Sequence, residues 1–174
     1  MTTAATHRIR PARPADCGSI AAMIRELAVF ESLESFVKVS ADDLDLHLFG
    51  ARPVAEAIVA EVDARGVGFA LFFPTFSTFR GQPGIYLEDI YVKAEHRGRG
   101  IGKAMLARIA GLACERGCGR VEWSVLNWND PAIGFYRSIG AAPMAEWTVY
   151  RLDDEPLSRL AASSTSTSTE TTAT

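Results

Sequence analysis

The chain predicts an α/β fold, and three observations carry that prediction. Apolar residues recur at helical spacing in several segments. Short runs rich in Val, Ile and aromatic residues, bounded by Gly, Pro and Asn, fall between them. At the centre, Leu87-Glu88-Asp89-Ile90-Tyr91-Val92 reads as a strand that runs into His96-Arg97-Gly98-Arg99-Gly100-Ile101-Gly102-Lys103, a turn dense in Gly and Arg. Ile101, Met105, Ile109 and Leu112 then open a helix.

The elements follow in order. His7-Arg8-Ile9-Arg10 predicts a first strand, stopped by Pro11 and Pro14. Asp16 is placed to cap the next helix, whose apolar stripe is Ile20, Met23, Ile24, Leu27 and Ala28. Ser40 caps a second helix from Ala41 to Phe49, and Gly50 ends it. Val54–Val62 and Gly66–Pro74 predict two antiparallel strands with Ala64-Arg65-Gly66 as the turn. Gly81-Gln82-Pro83-Gly84 turns the chain into the central strand, Ile85–Val92. The helix after the glycine turn runs to about Glu115, where Arg116-Gly117-Cys118-Gly119 breaks it. Val121–Leu126 alternates as a strand, Asp130-Pro131 starts a helix that Gly140 ends, and Trp147–Leu152 reads as a final strand.

Composition narrows the function. The 174 residues carry a net charge of −3, so no basic field points to nucleic acid. Nearly half the residues are hydrophobic, as in a soluble globular protein, yet no apolar run is long enough to span a bilayer. Met1–His7 lacks the apolar core of a signal peptide, so a cytoplasmic location is the default expectation. Residues 1–6 read as a flexible start, 7–162 as the domain, and 163–174 as a disordered Ser/Thr-rich tail. Cys114 and Cys118 lie four apart, but no second Cys/His pair with ligand spacing follows, so no metal is expected. Buried thiols are the expected state of Cys17, Cys114 and Cys118.

The central turn carries the chemistry. Gly98, Gly100 and Gly102 let backbone approach a ligand closely. A helix start exposes unpaired N–H groups at the positive end of its dipole, a geometry that binds phosphate. Arg97, Arg99 and Lys103 add charge, which points to a pyrophosphate; the bland alternative is a plain strand-to-helix turn. The Walker pattern fails, because Gly98 to Gly102 is one residue short and Ala104 stands where Ser or Thr would hold magnesium. The dinucleotide fingerprint fails at Lys103, where its third glycine would be.

Arg97-x-x-Gly100-x-Gly102 instead resembles the acetyl-CoA signature of the GCN5-related N-acetyltransferases (GNAT). Two further pieces stand beside it in the family's order: Leu87–Val92, and Asn127-Trp128-Asn129-Asp130-Pro131 running into Phe135-Tyr136 and on to Ala141. Ile9-Arg10-Pro11-Ala12, Ile24–Ala28 and Val67-Gly68-Phe69-Ala70 are similar to the diamine acetyltransferases, the spermidine/spermine N1-acetyltransferase group with its thialysine-acetylating relatives. The resemblance implies a mixed, strongly twisted sheet flanked by helices, with two central parallel strands splayed apart to admit acetyl-CoA. It implies that Ile90, Tyr91 and Val92 pair with the pantetheine, that the turn of Arg97, Gly98, Arg99, Gly100, Ile101, Gly102 and Lys103 holds the pyrophosphate, and that Glu122, Trp123 and Ser124 line the partner strand. Asn129, Asp130, Pro131 and Ala132 would touch the far side of the cofactor. Tyr136 matches the catalytic tyrosine, and Phe30, Glu31 and Glu88 match the amine site. A homodimer is implied as well.

The residue types suit that chemistry. An amine attacks a thioester only as the neutral base, yet alkylamines are mostly protonated near neutral pH. Glu88 can draw the ammonium in and accept its proton. Strand N–H groups such as Val92 can hold the oxyanion, and Tyr136 can protonate the leaving thiolate. Bland alternatives stand beside each assignment. Tyr136 reads equally as a core tyrosine with its hydroxyl at the edge, Glu31 as solvated charge, and Asp89 as a backbone-bonding structural acid. The polyamine enzymes carry an acid and a tryptophan in the segment matching Phe76–Phe79; Ser77 and Phe79 stand here, and Phe30 replaces a tyrosine. A smaller acceptor, a short diamine or a lysine-like amino acid, becomes comparable with a polyamine. A non-catalytic acyl-CoA-binding module and an acetylase of protein amines are the alternative functions.

Overall fold

The computed structural model describes residues 7–164, which group into two units meeting between Val125 and Leu126. The expected ends at residues 1–6 and 165–174 lie outside the described residues.

The first unit is a sheet of five strands in the order β1-β2-β3-β4-β5. These are β1 (Arg8–Pro11), β2 (Glu56–Val62), β3 (Arg65–Ser77), β4 (Gln82–Val92) and β5 (Val121–Trp123). Neighbours are antiparallel except β4 and β5, which run parallel. The helices of this unit are α1 (Cys17–Glu31), α2 (Ala41–Phe49) and α3 (Ile101–Glu115). The α/β class and the mixed sheet flanked by helices are as expected. No described helix is long and apolar enough to cross a membrane.

Local chemistry explains the sharpest boundaries. The Ser40 hydroxyl accepts from the Asp43 N–H, and the Asp43 carboxylate accepts from the Ser40 N–H, a closed capping box that starts α2 at Ala41. Asp16 does not cap α1 as expected. Its carboxylate instead accepts from both Arg10 Nη atoms and from the Arg13 N–H, while Arg10 also reaches Glu61. That network fastens the start of α1 to β1 and β2. The hairpin between β2 and β3 turns at Asp63-Ala64, both at positive φ, so β3 begins earlier than the sequence suggested. Likewise the next turn falls before Gln82, and Gln82–Gly84 belong to β4.

Two cores sandwich the sheet. Cross-strand partners share a face, so the pair Phe69 and Tyr91 with Val59 faces Ile20, Met23, Leu44 and Leu48 of α1 and α2. On the other face Gly68 lies against Met105: a Cβ there would sit 2.7 Å from the Tyr91 carbonyl oxygen and 3.3 Å from the Met105 methyl. Met105 and Ile109 of α3 are fully buried, as are Phe72, Ile85 and Leu87. Each such side chain contributes about 2–3 kcal/mol by leaving water. Only Cys17 of the three thiols is buried; Cys114 is exposed and Cys118 half-buried, because α3 turns Cys114 outward and ends before Cys118.

The second unit contains α4 (Asp130–Ser138) and α5 (Asp154–Ser163). Asn129 caps α4 through its side chain, which accepts from the Ala132 N–H, and Pro131 stands in the first turn where no N–H is needed. Two expectations fail here. Trp147–Leu152 forms no strand, and α5 had not been foreseen. Trp147, Val149 and Tyr150 are exposed, so no neighbouring strand among the described residues supplies the ladder that a strand needs.

Candidate active site

The site grows from a fault in β4. Its register against β3 runs Leu71 to Asp89 and then Phe72 to Leu87, so Glu88 has no partner and bulges. At the same point β4 loses its other neighbour. Parallel pairing with β5 covers only Ile85 with Val121, Tyr86 with Glu122 and Leu87 with Trp123. Bulges sharpen twist and end pairing, and here the two strands part just past Leu87.

Backbone alternation fixes what the parted edge offers. The Lys93 N–H donates to the Val67 carbonyl on the β3 side, and the Ile85 N–H donates to the Arg120 carbonyl on the β5 side. Counting the bulge as one step, Ile90 and Val92 direct their N–H and C=O toward the β5 side. No described strand meets them there. In this short row the Val92 carbonyl accepts from Arg97 Nε, and no strand hydrogen bond is made by the rest among the described residues; the resemblance had named Ile90, Tyr91 and Val92 here. Tyr91 differs from the other two: its side chain lies in the core and its backbone serves β3. On β5 the Glu122 carboxylate accepts from Arg120 Nε (2.7 Å), and just past its end Ser124 shares a hydrogen bond with the Tyr86 hydroxyl (2.7 Å). Phe73 stacks on Tyr86 at 5.3 Å and steadies that end of the opening.

Beyond Val92 the chain reaches the glycine turn. Gly98 and Gly100 have φ of 73° and 79°, conformations that L side chains rarely adopt, and Gly100 stands as the N-cap of α3. The first helical bond runs from the Ala104 N–H to the Gly100 carbonyl, so the N–H groups of Ile101, Gly102 and Lys103 precede the ladder. A Cβ added at Gly98, Gly100 or Gly102 would meet nothing within 4 Å. The mouth of the helix is therefore open, with Arg99 and Lys103 exposed around it. The donors and charge fit a diphosphate.

Arg97 does something different. Its Nε donates to the Val92 carbonyl at 2.9 Å. Its guanidinium lies over the Phe30 ring at 5.2 Å and the Tyr91 ring at 5.4 Å. The side chain thus turns back toward the end of α1. The Tyr91 hydroxyl in turn donates to Glu26 (3.1 Å), which also faces Lys93 Nζ at 3.6 Å. Burial and Glu26 push the Tyr91 phenol up.

Acids gather on the same side. Asp89 pairs with Leu71 and Tyr91 with Phe69, so both β4 side chains face α1. Burial, then repulsion from Glu88 and Glu31, pushes the Asp89 carboxyl from 3.8 up to about 6. Burial pushes the Glu31 carboxyl up too. Glu31 and Glu88, named from the sequence, thus lie close enough to Asp89 to raise it, and Phe30, beside Glu31 in the chain, lies under Arg97. Asp89 is the functional candidate that the sequence left undecided. Its signal was an acid adjacent to another acid inside an apolar strand, where charge needs a reason. The hairpin segment behaves otherwise: Ser77 is buried and its hydroxyl accepts from Arg120 Nη1 and the Arg80 N–H, which fastens the hairpin to β5. Phe79 is 97% exposed at the tip.

Asn129, Asp130, Pro131, Ala132 and Tyr136 belong to the second unit. The first four form the capped start of α4, and Tyr136 is half-buried on that helix with its ring 5.5 Å from Phe135.

A parted parallel pair, a bulged strand and a glycine-led helix fit an acetyltransferase, and the comparisons agree. The model of the Acetyltransferase (GNAT) family matches residues 22–141, and the chain belongs to that family and is an N-acetyltransferase. It is 39% identical to the thialysine N-epsilon-acetyltransferase of Bos taurus, covering 88% of this chain and 96% of that one. It is 31% identical to the L-ornithine N5-acetyltransferase of Arabidopsis thaliana, covering 86% of each. Among solved structures, an integron cassette protein from the mobile metagenome of V. cholerae matches with a TM-score of 0.75 at 26% identity, over 89% of this chain and 97% of that one.

Proposed function

We propose that the protein moves the acetyl group of acetyl-CoA to a primary amine of a small cationic acceptor, by direct attack within a ternary complex. The observation that carries this reading is the acid wall of Glu31, Glu88 and Asp89 beginning at the bulge where β4 leaves β5. The relatives that act on thialysine and ornithine support an amino-bearing acceptor of this size.

Acetyl-CoA, when bound, supplies a thioester. The N–H groups at the start of α3 and the charges of Arg99 and Lys103 hold its diphosphate. The outer edge of Ile90 and Val92 orients the pantetheine, with Glu122, Trp123 and Ser124 along the other lip. Asn129, Asp130, Pro131 and Ala132 complete the cofactor contacts. Glu31 and Glu88 attract the ammonium, with the Phe30 ring beside them. Asp89, held near 6, is charged at neutral pH and basic enough to share the amine proton with Glu88. The Val92 N–H donates to the oxygen that gains charge, and Tyr136 donates a proton to the leaving sulfur. No acyl-enzyme is needed, so Cys17, Cys114 and Cys118 take no part, and proximity supplies much of the rate.

The test is release of CoA thiol with putrescine, spermidine, lysine and thialysine. Turnover with at least one is expected; acetyl-CoA binding without turnover on any would remove the acceptor assignment. Tyr136→Phe is expected to lower kcat far more than acetyl-CoA affinity, and an unchanged kcat would take Tyr136 out of the reaction.

A further inference from the structure

The opening between β4 and β5 is bridged at its inner end by a pair of hydroxyls. Leu87 and Trp123 are the last partners of the parallel ladder, and one further step of that register would set Ser124 opposite the bulged Glu88. Here the Tyr86 and Ser124 hydroxyls share a hydrogen bond of 2.7 Å, which runs from one lip of the opening to the other. Phe73, stacked on Tyr86 at 5.3 Å, backs the ring. Ser124 is exposed and Tyr86 half-buried, so the pair borders open space and belongs to neither core. A hydrogen bond in such a setting adds little to folding.

The ladder also fixes the face on which the bridge lies. Leu71 and Phe73 are two residues apart on β3 and share a face, and their partners are Asp89 and Tyr86. Tyr86 therefore continues the face that carries Tyr91 and Asp89, on the far side of the bulge.

The direction of the coenzyme supplies the rest, and this step rests on the amine-acetyltransfer reading above. With the diphosphate at the glycine turn beyond Val92, the pantetheine would run along the edge from Val92 to Ile90, and the acyl group would be the part that reaches toward Leu87. Counting the bulge as one step, Val92 to Leu87 is about 13 Å of edge. At its end the strands close and the two hydroxyls span the gap. An acyl carbonyl beside Glu88 and Asp89 would direct its methyl group at Tyr86 and Ser124. A two-carbon acyl group would end there, and each further methylene would have to displace the ring or break the bond between the lips.

We infer that Tyr86 and Ser124 are specificity-determining residues that set the length of the transferred acyl group, admitting acetyl and excluding longer chains. The reaction is otherwise unchanged: the amine nitrogen bonds to the acyl carbon and gives up a proton, the C–S bond breaks, and CoA leaves as the thiol.

The experiment uses the whole protein with acetyl-, propionyl- and butyryl-CoA, read in two ways. Calorimetry gives the affinity for each and needs no acceptor. Turnover with one fixed amine, the best of putrescine, spermidine, lysine and thialysine, gives kcat/KM for each. The wild type is expected to favour acetyl over butyryl by about 100-fold in kcat/KM, on the scale of about tenfold per methylene, and to bind acetyl-CoA the tighter of the two. Tyr86→Phe keeps the stack on Phe73 and Ser124→Ala changes an exposed side chain, so both are expected to melt near the wild type. Each removes the bridge and is expected to cut both preferences about tenfold. The double variant should go no further than either single, because all three lack the same bond. Arg116→Met, which loses the ion pair with Glu56 at the far end of α3, is expected to lower Tm and leave the acyl preference at the wild-type value. A wild-type preference under about twofold, or single variants that keep the full wild-type preference, overturns the role of the pair while amine acetylation stands. If no amine is acetylated although acetyl-CoA binds, the functional reading falls, and the calorimetric ratio of acetyl- to butyryl-CoA decides the role of the pair by itself.

Discussion

Asp89→Asn should stabilise the protein while slowing it. The native fold holds the Asp89 carboxyl near 6 against 3.8 in the unfolded chain, mainly by burial and then by Glu88 and Glu31. Raising the group that far costs its charged form about 3 kcal/mol, at most, since the side chain keeps partial solvent contact. The sign follows from proton counting. Between about pH 4 and 6 the folded state binds more protons than the unfolded one, so Asp89 lowers stability as pH rises through that window. Below it the cost vanishes, and above it the cost is constant. The amide keeps the shape and removes the charge. Urea unfolding of wild type and Asp89→Asn at pH 4, 5, 6 and 7.5 should give curves that coincide at the acid end. The variant should gain up to about 3 kcal/mol at pH 7.5, several degrees in Tm for a chain of this size. Amine acetylation at pH 7.5 should fall about tenfold or more, within the usual contribution of a general base. A stability difference that is flat with pH would refute the reasoning, because the cost would then not be electrostatic. A variant less stable than the wild type at pH 7.5 would refute it too, since the charged carboxylate would then have partners that hold it.

Other perturbations have equally definite outcomes. Gly100→Ala forces a side chain into a left-handed backbone at φ 79°, so it should lose about 1 kcal/mol in chemical unfolding and raise the acetyl-CoA KM more than the amine KM. Gly68→Ala puts a Cβ 2.7 Å from the Tyr91 carbonyl and should lose about 1–3 kcal/mol, with a matching drop in Tm. Arg10→Met removes the cation shared by Asp16 and Glu61, whose carboxyls it holds below their ordinary range. Wild-type stability from this network is present near neutral pH and lost on acidification below about pH 4, so melting curves of wild type and variant should converge in acid.

The legible parts of the fold are those fixed within a few residues of themselves. Ser40 and Asp43 close a capping box over a single turn, and α2 begins and ends where the sequence placed it. The stripe of Ile101, Met105, Ile109 and Leu112 marked α3, which ends at Glu115, about where it was expected. Trp147–Leu152 looked like a strand because aromatic and branched residues suit a pleated surface, but a strand exists only beside a partner. α5 had an N-terminal signal in Asp153, Asp154, Glu155 and Pro156, hidden by the Ser/Thr-rich stretch that follows. Of the site, the glycine turn was plain because three glycines in five residues have a backbone purpose. The bulge was not: it breaks alternation by one residue, and Leu87-Glu88-Asp89-Ile90 reads equally as an unbroken strand. The reach of Arg97 was invisible for a similar reason, since its partners Phe30 and Tyr91 come from other parts of the chain.

That one extra residue gives β4 two surfaces to offer, an outer edge and a face toward α1. An unbroken β4 would spend its outer edge on β5 along its length, leaving no backbone for a pantetheine. With the bulge, pairing stops at Leu87 and the edge at Ile90 and Val92 is released, while Leu87 stays in the core against α3 and Asp89 joins Tyr91 on the face toward α1. On the proposed function, the edge of β4 would meet the acyl donor and its α1 face the acceptor. That placement would bring the reacting carbon and nitrogen together across the width of one strand, with no hinge required. The same geometry explains why the acids cluster there. A carboxylate on that face would lie close enough to the edge to receive the amine's proton on the proposed function, and burial is what raises its affinity for a proton. Position and basicity come from one cause.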